Sequence, residues 1–353
     1  MSQITLQSIS KNFGAITALR NVSFDIQDSE FFVLLGPTGA GKTTTLRVIA
    51  GLEKQDEGQV SFDGRQVDEL APADRDVAFV FQQYSLYPTM TVFDNLAFPL
   101  RSPMRKTSKQ EIKQRIDETA KTLRITHLLE RKTARLSGGE MQRVSLGRAL
   151  VRAPRLFLMD EPLSNLDAKL REALRVELKH LQKTQASTTL FVTHDQIEAL
   201  TMGDRIGVLN RGRVIQIGTP EDIYDRPATT FVAQLVGTPR INLHKATCEN
   251  SSLHVADSTI HLPIPKQECL PDSFLLGVRP EDVLIRPEGA LAGEIALIEP
   301  LGVETILHIK AGQKTVVSLV PGMSHLRIGE AVQFDVVLPR LHYFQPDGQR
   351  ITI

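Results

Sequence analysis

The sequence predicts an α/β domain with a small antiparallel sheet attached, followed by a small all-β barrel or sandwich. Three observations predict it. Up to about Val236, short apolar runs alternate with segments of helical spacing. A glycine-rich loop directly follows one of those runs and opens a helix. From Gly237 onward the helical period disappears, and ten of the nineteen prolines fall within residues 239–353. A length of 353 residues suits two domains, here 1–236 and 237–353, with the boundary close to Thr238-Pro239.

Each element has its own signal. Val22, Phe24 and Ile26 alternate with polar neighbours, and residues 60–65 form a strand entering an Asp63-Gly64 hairpin turn. These give the small antiparallel sheet. Residues 31–35, 77–81, 156–159 and 189–192 are unbroken apolar runs, as parallel strands covered on both faces require. On this reading Phe79 and Phe81 are core. Ile112, Ile116, Ala120 and Leu123 recur at helical spacing, as do Leu170, Leu174, Leu178 and Leu181. In the tail, residues 293–298 and 332–336 alternate as exposed-face strands do.

Composition excludes several function classes. Lys plus Arg equals Asp plus Glu at 41 each, so the chain lacks the basic excess of a dedicated nucleic-acid binder. Cys248 and Cys269 share no CxxC spacing and are too few for a disulfide framework. Residues 1–10 have neither a charged stretch nor an apolar one, so no secretory leader is expected. No run approaches the roughly 18 apolar residues that span a bilayer. A reduced, intracellular chain is expected.

Three motifs carry chemistry. Gly36-Pro37-Thr38-Gly39-Ala40-Gly41-Lys42-Thr43, with Thr44 after it, fits G-x-x-x-x-G-K-[ST] between a strand and a helix that stops at Gly51. Glycines let successive amides converge on phosphate oxygens, and the helix N-terminus adds partial positive charge. Lys42 would reach the β- and γ-phosphates, and the Thr43 hydroxyl would hold Mg²⁺. The second motif is an apolar strand ending in Asp160-Glu161. Adjacent strand residues point to opposite sides, so the two acids divide their work. Asp160 fits the Mg²⁺ ligand, and Glu161 sits where it could polarise an attacking water. Alone, two acids at a strand end are more often a helix cap or a solvated turn; paired with the glycine loop, the chemical reading is favoured. The third is Leu136-Ser137-Gly138-Gly139-Glu140, in which Ser137 and Glu140 make a capping box. Two glycines in a first helical turn cost about 1 kcal/mol each, which suggests bare amides meant to approach an anion.

With these motifs in this order, the chain resembles the nucleotide-binding subunit of an ATP-binding cassette (ABC) transporter. More narrowly it resembles the ATPase of maltose- and glycerol-phosphate-type importers. The resemblance extends to Gln82 as the Q-loop, Ser164-Asn165-Leu166-Asp167 as the D-loop, His194 as the switch histidine and Phe13 as the aromatic that stacks on adenine. Read alone, His194 would be a surface or core histidine, Phe13 a strand-end core residue and Gln82 a polar residue after a strand. Ala40 stands where such importers often have Cys. Arg279-Pro280-Glu281-Asp282 is a phrase of the regulatory OB-like tail of this subfamily.

The resemblance implies a P-loop NTPase cassette with an antiparallel β subdomain, a helical subdomain at about 85–150 and an OB-like C-terminal domain. It implies ATP and Mg²⁺ as cofactors, with Gln82 sharing the metal with Thr43 and Asp160. Two copies would sandwich two ATP molecules, each phosphate loop facing Ser137, Gly138, Gly139 and Glu140 of the other copy. Partners would be two membrane permeases, an extracytoplasmic solute-binding protein and a cytosolic regulator at the tail, with no nucleic acid. The location implied is the cytoplasmic face of the inner membrane. Six of nineteen aromatics lie in residues 79–98, and Tyr84, Tyr87 and Phe93 are the expected permease contacts. The basic run of Arg101, Arg105, Lys106, Lys109, Lys113 and Arg115 suits a solvated helix face or a membrane-surface contact. Sugar, glycerol phosphate, polyamine and oxyanion importers share these motifs. A soluble ABC ATPase of nucleic-acid metabolism would carry a long insertion or a second cassette, yet Lys42 and Ser137 are only 95 residues apart. A third reading makes the tail itself the main binding module.

Overall fold

A computed structural model describes residues 3–102, 107–164, 166–249, 252–263 and 270–352. Met1, Ser2, Arg105, Lys106, Asn165 and Cys269 lie outside the described residues. The chain divides into two compact units, 1–220 and 221–353.

The first unit contains β1 (Ile4–Phe13), β2 (Ile16–Ile26), β3 (Phe31–Leu35), α1 (Lys42–Ala50), β4 (Glu57–Phe62), β5 (Arg65–Gln66) and β6 (Val77–Val80). It continues through α2 (Val92–Ala97), α3 (Lys109–Thr122), α4 (Gly138–Leu150), β7 (Leu156–Asp160), α5 (Ala168–Gln185), β8 (Thr188–Thr193), α6 (Gln196–Met202), β9 (Arg205–Asn210) and β10 (Arg213–Gly218). A four-stranded antiparallel sheet has the order β2-β1-β4-β5. Asp63 and Gly64 both have positive φ, the I′ turn that the sequence predicts between β4 and β5. The second sheet has the order β10-β9-β3-β8-β7-β6 and is parallel except for β10 at its edge. Strands β3, β7 and β8 are buried along their whole length. Phe24 of β2 stacks on Phe32 of β3 at 5.2 Å, joining both sheets in one core.

The helices follow their predicted faces. In α3, Ser108 caps the N-terminus and Ile112, Ile116 and Ala120 are buried; in α5, Leu174, Leu178 and Leu181 are. One strand prediction needs correction. The edge strand β6 ends at Val80, so Phe81 lies beyond the sheet and is 37% exposed, and Phe79 is only half-buried. The long apolar run hid the point where the backbone leaves the ladder.

The second unit begins with α7 (Pro220–Asp225), whose first residue closes the first unit, and α8 (Thr230–Leu235). Strands β11 (Asn242–Glu249), β12 (Ser252–Val255), β13 (His261–Pro263), β14 (Ser273–Val278), β15 (Val283–Ile285), β16 (Leu291–Pro300), β17 (Glu304–Ala311), β18 (Lys314–Pro321), β19 (Ala331–Val336) and β20 (His342–Phe344) follow. They form two five-stranded antiparallel sheets, β13-β12-β11-β14-β20 and β15-β19-β16-β17-β18, around one core. Buried Asn242 stitches the sheets together: its amide donates to the Val278 and Val317 carbonyls and accepts from the Val317 amide. Arg279, 1% exposed, explains why the compact unit starts earlier than position 237. Its guanidinium donates to the Tyr224, Ala233 and Val236 carbonyls and lies 4.0 Å over the Tyr224 ring, which ties α7 and α8 to the β domain.

His342 on β20 is 5% exposed. Burial pushes its imidazole down to about 3 from the usual 6.5, with Arg279, Arg350 and Arg340 acting in the same direction. Folded His342 therefore stays neutral where the unfolded chain takes up a proton. The stability it supports is present above about pH 6.5 and is lost as pH falls towards 3. Calorimetry of the full chain should show a melting temperature that falls between pH 7 and pH 5, and the fall should be smaller in His342→Gln. An equal fall in both proteins would show that other groups control acid stability.

Candidate active site

The glycine loop is shaped by its neighbours. A Cβ on Gly36 would lie 2.2 Å from the Leu209 carbonyl oxygen of β9. Gly41 has φ +107° and a Cβ there would meet the Ala18 carbonyl oxygen at 2.6 Å. Ala40 is buried at 2% in the core beneath the loop. Pro37 accepts from the Ala40 amide at 3.1 Å, while Thr38 and Gly39 form the exposed tip. Lys42 and Thr43 open α1, with Thr44 half-buried behind them.

Because β3, β8 and β7 are neighbours and parallel, their C-terminal ends bring the chemical groups together. The Lys42 ammonium, 5% exposed, donates to the Gly36 and Pro37 carbonyls at 2.9 and 3.1 Å. It also lies 3.4 Å from Glu161 Oε1. The Thr43 hydroxyl donates to Asp160 Oδ1 at 3.0 Å. Glu161 Oε2 is 2.9 Å from His194 Nδ1, just past the end of β8. The two acids do point apart, one to the hydroxyl and one to the ammonium and imidazole. Glu161 has a left-handed backbone (φ 44°), held by a hydrogen bond that its N–H donates to the Val192 carbonyl. Burial pushes the Asp160 carboxyl above its usual range; the Thr43 hydrogen bond opposes this and the Glu161 charge adds to it.

A divalent cation would find oxygen donors here. Asp160 and Thr43 offer one carboxylate and one hydroxyl, and among the described residues no group of three or more His, Cys, Asp or Glu converges. That donor set fits Mg²⁺, which takes one or two carboxylates and completes its shell with phosphate oxygens and water. Gln82 stands two residues beyond β6 in exposed chain, beside β7 in sheet order. Phe13 ends β1 and is 44% exposed, with Lys11 Nζ 5.2 Å over its ring. It is not the buried strand-end residue that its neighbours alone suggest.

A second feature gathers at the N-terminus of α4. The capping box is present: the Ser137 amide and hydroxyl donate to Glu140 Oε2 at 2.7 and 2.8 Å. The Ser137 backbone N–H, then its hydroxyl, hold the Glu140 carboxyl below the usual carboxylate range. Ser137, Gly138, Gly139, Glu140 and Asp167 line a surface cavity of about 540 Å³ to which residues 36–44 contribute nothing. Asp167 also caps α5 through the Leu170 amide at 3.0 Å. A Cβ on Gly138 or Gly139 would meet only side-chain ends, Tyr84 Oη at 3.1 Å and Leu170 Cδ2 at 2.1 Å. Those atoms can move, so packing within the chain makes only a weak demand for two glycines.

The aromatic segment is organised around one pair. Tyr87 and Phe98 pair at 4.6 Å, with the Arg148 guanidinium 5.6 Å over Tyr87. Phe79, Phe81, Tyr87, Phe98 and Arg148 line a groove of about 310 Å³. Tyr84 and Phe93 are half-buried and do not line it. Arg148 comes from α4, and nothing in its local sequence signals this role.

Residues 19–164 match the ABC transporter family, and residues 276–344 match the TOBE domain. The trehalose/maltose import ATP-binding protein MalK of Thermococcus litoralis is 45% identical over 98% of each chain. The chain belongs to the ABC transporter ATPases. The sn-glycerol-3-phosphate import ATP-binding protein UgpC 3 of Agrobacterium fabrum is 46% identical over 99% of this chain and all of that one. Among solved structures, the dimeric cassette MJ0796 is 33% identical, with a TM-score of 0.57 over 62% of this chain and 98% of its own. The same cassette has been solved in a post-hydrolysis state bound to ADP and Pi. The first unit is thus an ABC cassette that binds and hydrolyses ATP, and the β-rich tail is TOBE-like.

Lys42→Ala should remove a charge-assisted contact to the phosphates worth about 1.5–3 kcal/mol. Nucleotide titration and steady-state turnover should show weaker ATP binding and nearly abolished hydrolysis, with an unchanged melting temperature. Wild-type turnover would remove Lys42 from the site.

Proposed function

We propose that two copies of this chain sandwich two ATP molecules and drive import of a sugar or glycerol phosphate through a pair of membrane permeases. The location proposed is the cytoplasmic face of the membrane. One observation carries the coupling part of this reading: an exposed aromatic groove includes Phe81, the residue before Gln82. Phe81, Tyr87 and Phe98 are 37%, 38% and 47% exposed, with Arg148 beside them. Large aromatics next to an arginine are typical anchors of a protein interface. The names of MalK and UgpC support a small polyhydroxylated cargo. In this reading an extracytoplasmic binding protein would deliver it.

In the proposed site, Lys42 and the amides of residues 36–44 bind the phosphates, and Phe13 stacks on the base. Thr43, Asp160 and Gln82 would hold Mg²⁺, which would neutralise charge on the phosphates. Glu161 takes a proton from the attacking water, and His194 holds the Glu161 carboxylate through their 2.9 Å contact. Ser137, Gly138 and Gly139 of the second copy supply amides to the γ-phosphate, with Glu140 fixing Ser137. The bare amides of Gly138 and Gly139, for which packing makes only a weak demand, support this. Residues 1–236 form the nucleotide-binding domain in this reading, with 85–150 as its helical part. Residues 237–353 are regulatory and offer a surface to a cytosolic regulator; Val303 and Met323, 81% and 66% exposed, support such a surface.

Replacing Phe81, Tyr87 and Phe98 with alanine should leave ATP turnover of the isolated subunit nearly intact. Uptake of labelled maltose, trehalose or glycerol 3-phosphate by the assembled complex should collapse. Equal loss in both assays would mean that the groove is structural, and no uptake of any of the three by the wild-type complex would overturn the cargo.

A further inference from the structure

A closed ring of contacts runs through Glu161, entering at its backbone carbonyl and returning at its carboxylate. The Ser164 amide and hydroxyl both donate to the Glu161 carbonyl, at 3.2 and 2.9 Å. Arg171, on the first turn of α5, donates through Nη2 to the carbonyls of Ser164 and Leu166 at 3.5 and 3.1 Å. Its other terminal nitrogen, Nη1, pairs with Asp195 Oδ2 at 3.5 Å. Asp195 is the residue after His194, and His194 returns to Glu161 Oε2 at 2.9 Å. The ring therefore runs from Glu161 through Ser164, Arg171, Asp195 and His194 back to Glu161.

We infer that Arg171 is a positioning residue for hydrolysis: it fixes the chain after Glu161 and the chain after His194 relative to each other. The inference rests on the reading of Glu161 as the group that receives the water proton. Its physical basis is the fork of the guanidinium. A planar cation with five donors can hold two carbonyls and a carboxylate at once, and an ammonium cannot reproduce that geometry. Asp195 is suited to the other end. Its Oδ1 caps α6 by accepting from the Ile197 and Glu198 amides at 2.7 and 3.3 Å, leaving Oδ2 for Arg171. The Asp195 amide is anchored in turn on the Thr193 hydroxyl at 2.9 Å. Both segments are thus rigid on their own side, and Arg171 joins them. Its contacts are with two carbonyls and a carboxylate, and through them it acts on the placement of Glu161 and His194.

The test uses the full-length subunit with Arg171→Gln, Arg171→Lys, Asp195→Asn and the Arg171→Gln/Asp195→Asn double variant, together with Glu161→Gln. Asp195→Asn keeps the capping oxygen and loses the charge. Misplacing a reacting group by a fraction of an ångström lowers kcat about tenfold or more while substrate binding stays intact. The expected result is that fall in kcat for Arg171→Gln and Asp195→Asn, with KM for ATP within about twofold and the melting temperature unchanged. The double variant should be no slower than the slower single one, because both break the same link. Arg171→Lys, which keeps only the charge, should recover part of the loss. Unchanged kcat in both single variants, multiplicative losses in the double one, or a kcat that falls only with melting temperature would overturn the inference. Glu161→Gln separates this from the underlying reading: wild-type turnover there would remove Glu161 as the proton acceptor, whatever Arg171 does.

Discussion

The adjacency of three parallel strands is the constraint on which the site depends. β3 delivers the glycine loop, β8 delivers His194 and β7 delivers Asp160 and Glu161, and all three end on the same edge. Continuous burial fixes this order. Each strand is buried on both faces and sits inside the sheet. A parallel sheet also points all its strand ends one way, so three segments far apart in sequence arrive together. The hydrophobic core therefore does the positioning, and the polar groups inherit it.

Local devices then refine what the sheet supplies. The left-handed backbone at Glu161 turns its carboxylate away from Asp160 and towards Lys42 and His194. Buried Asp160 keeps its charge company with the Thr43 hydroxyl rather than with the ammonium. The result is two carboxylates on consecutive residues in two environments, which permits one to hold a cation and the other to handle a proton. By contrast, the N-terminus of α4 is a finished cap with two bare glycines and a cavity in front of it. Nothing from the glycine loop lines that cavity, so this feature gains chemical purpose from a second copy in the proposed sandwich.

Much of this was legible in the sequence, for identifiable reasons. Unbroken apolar runs mark buried parallel strands, alternation marks Val22, Phe24 and Ile26, and Asp63-Gly64 marks a hairpin, because each pattern reflects one local rule. The glycine loop and the acid pair are legible since their spacing is the mechanism. Tertiary placement is less so. Phe81 continues an apolar run but lies past the point where β6 ends, and Phe98 meets Tyr87 from the far end of α2. Arg148 and Arg171 act at a distance from helices whose local sequence signals only surface. Arg279 was visible as part of a phrase, yet its grip on α7 and α8 depends on carbonyls more than forty residues away.

The central claim is that one copy holds the phosphate loop and acids while the other completes the site with the glycine end of α4. It is tested most directly by closure. In a background lacking Cys248 and Cys269, Glu161→Gln should bind Mg-ATP and hydrolyse it scarcely at all, so the closed pair should accumulate. Thr38→Cys in one subunit and Ser137→Cys in the other should then cross-link in Mg-ATP and not in its absence. A cross-link yield that is the same with and without nucleotide would contradict the composite site.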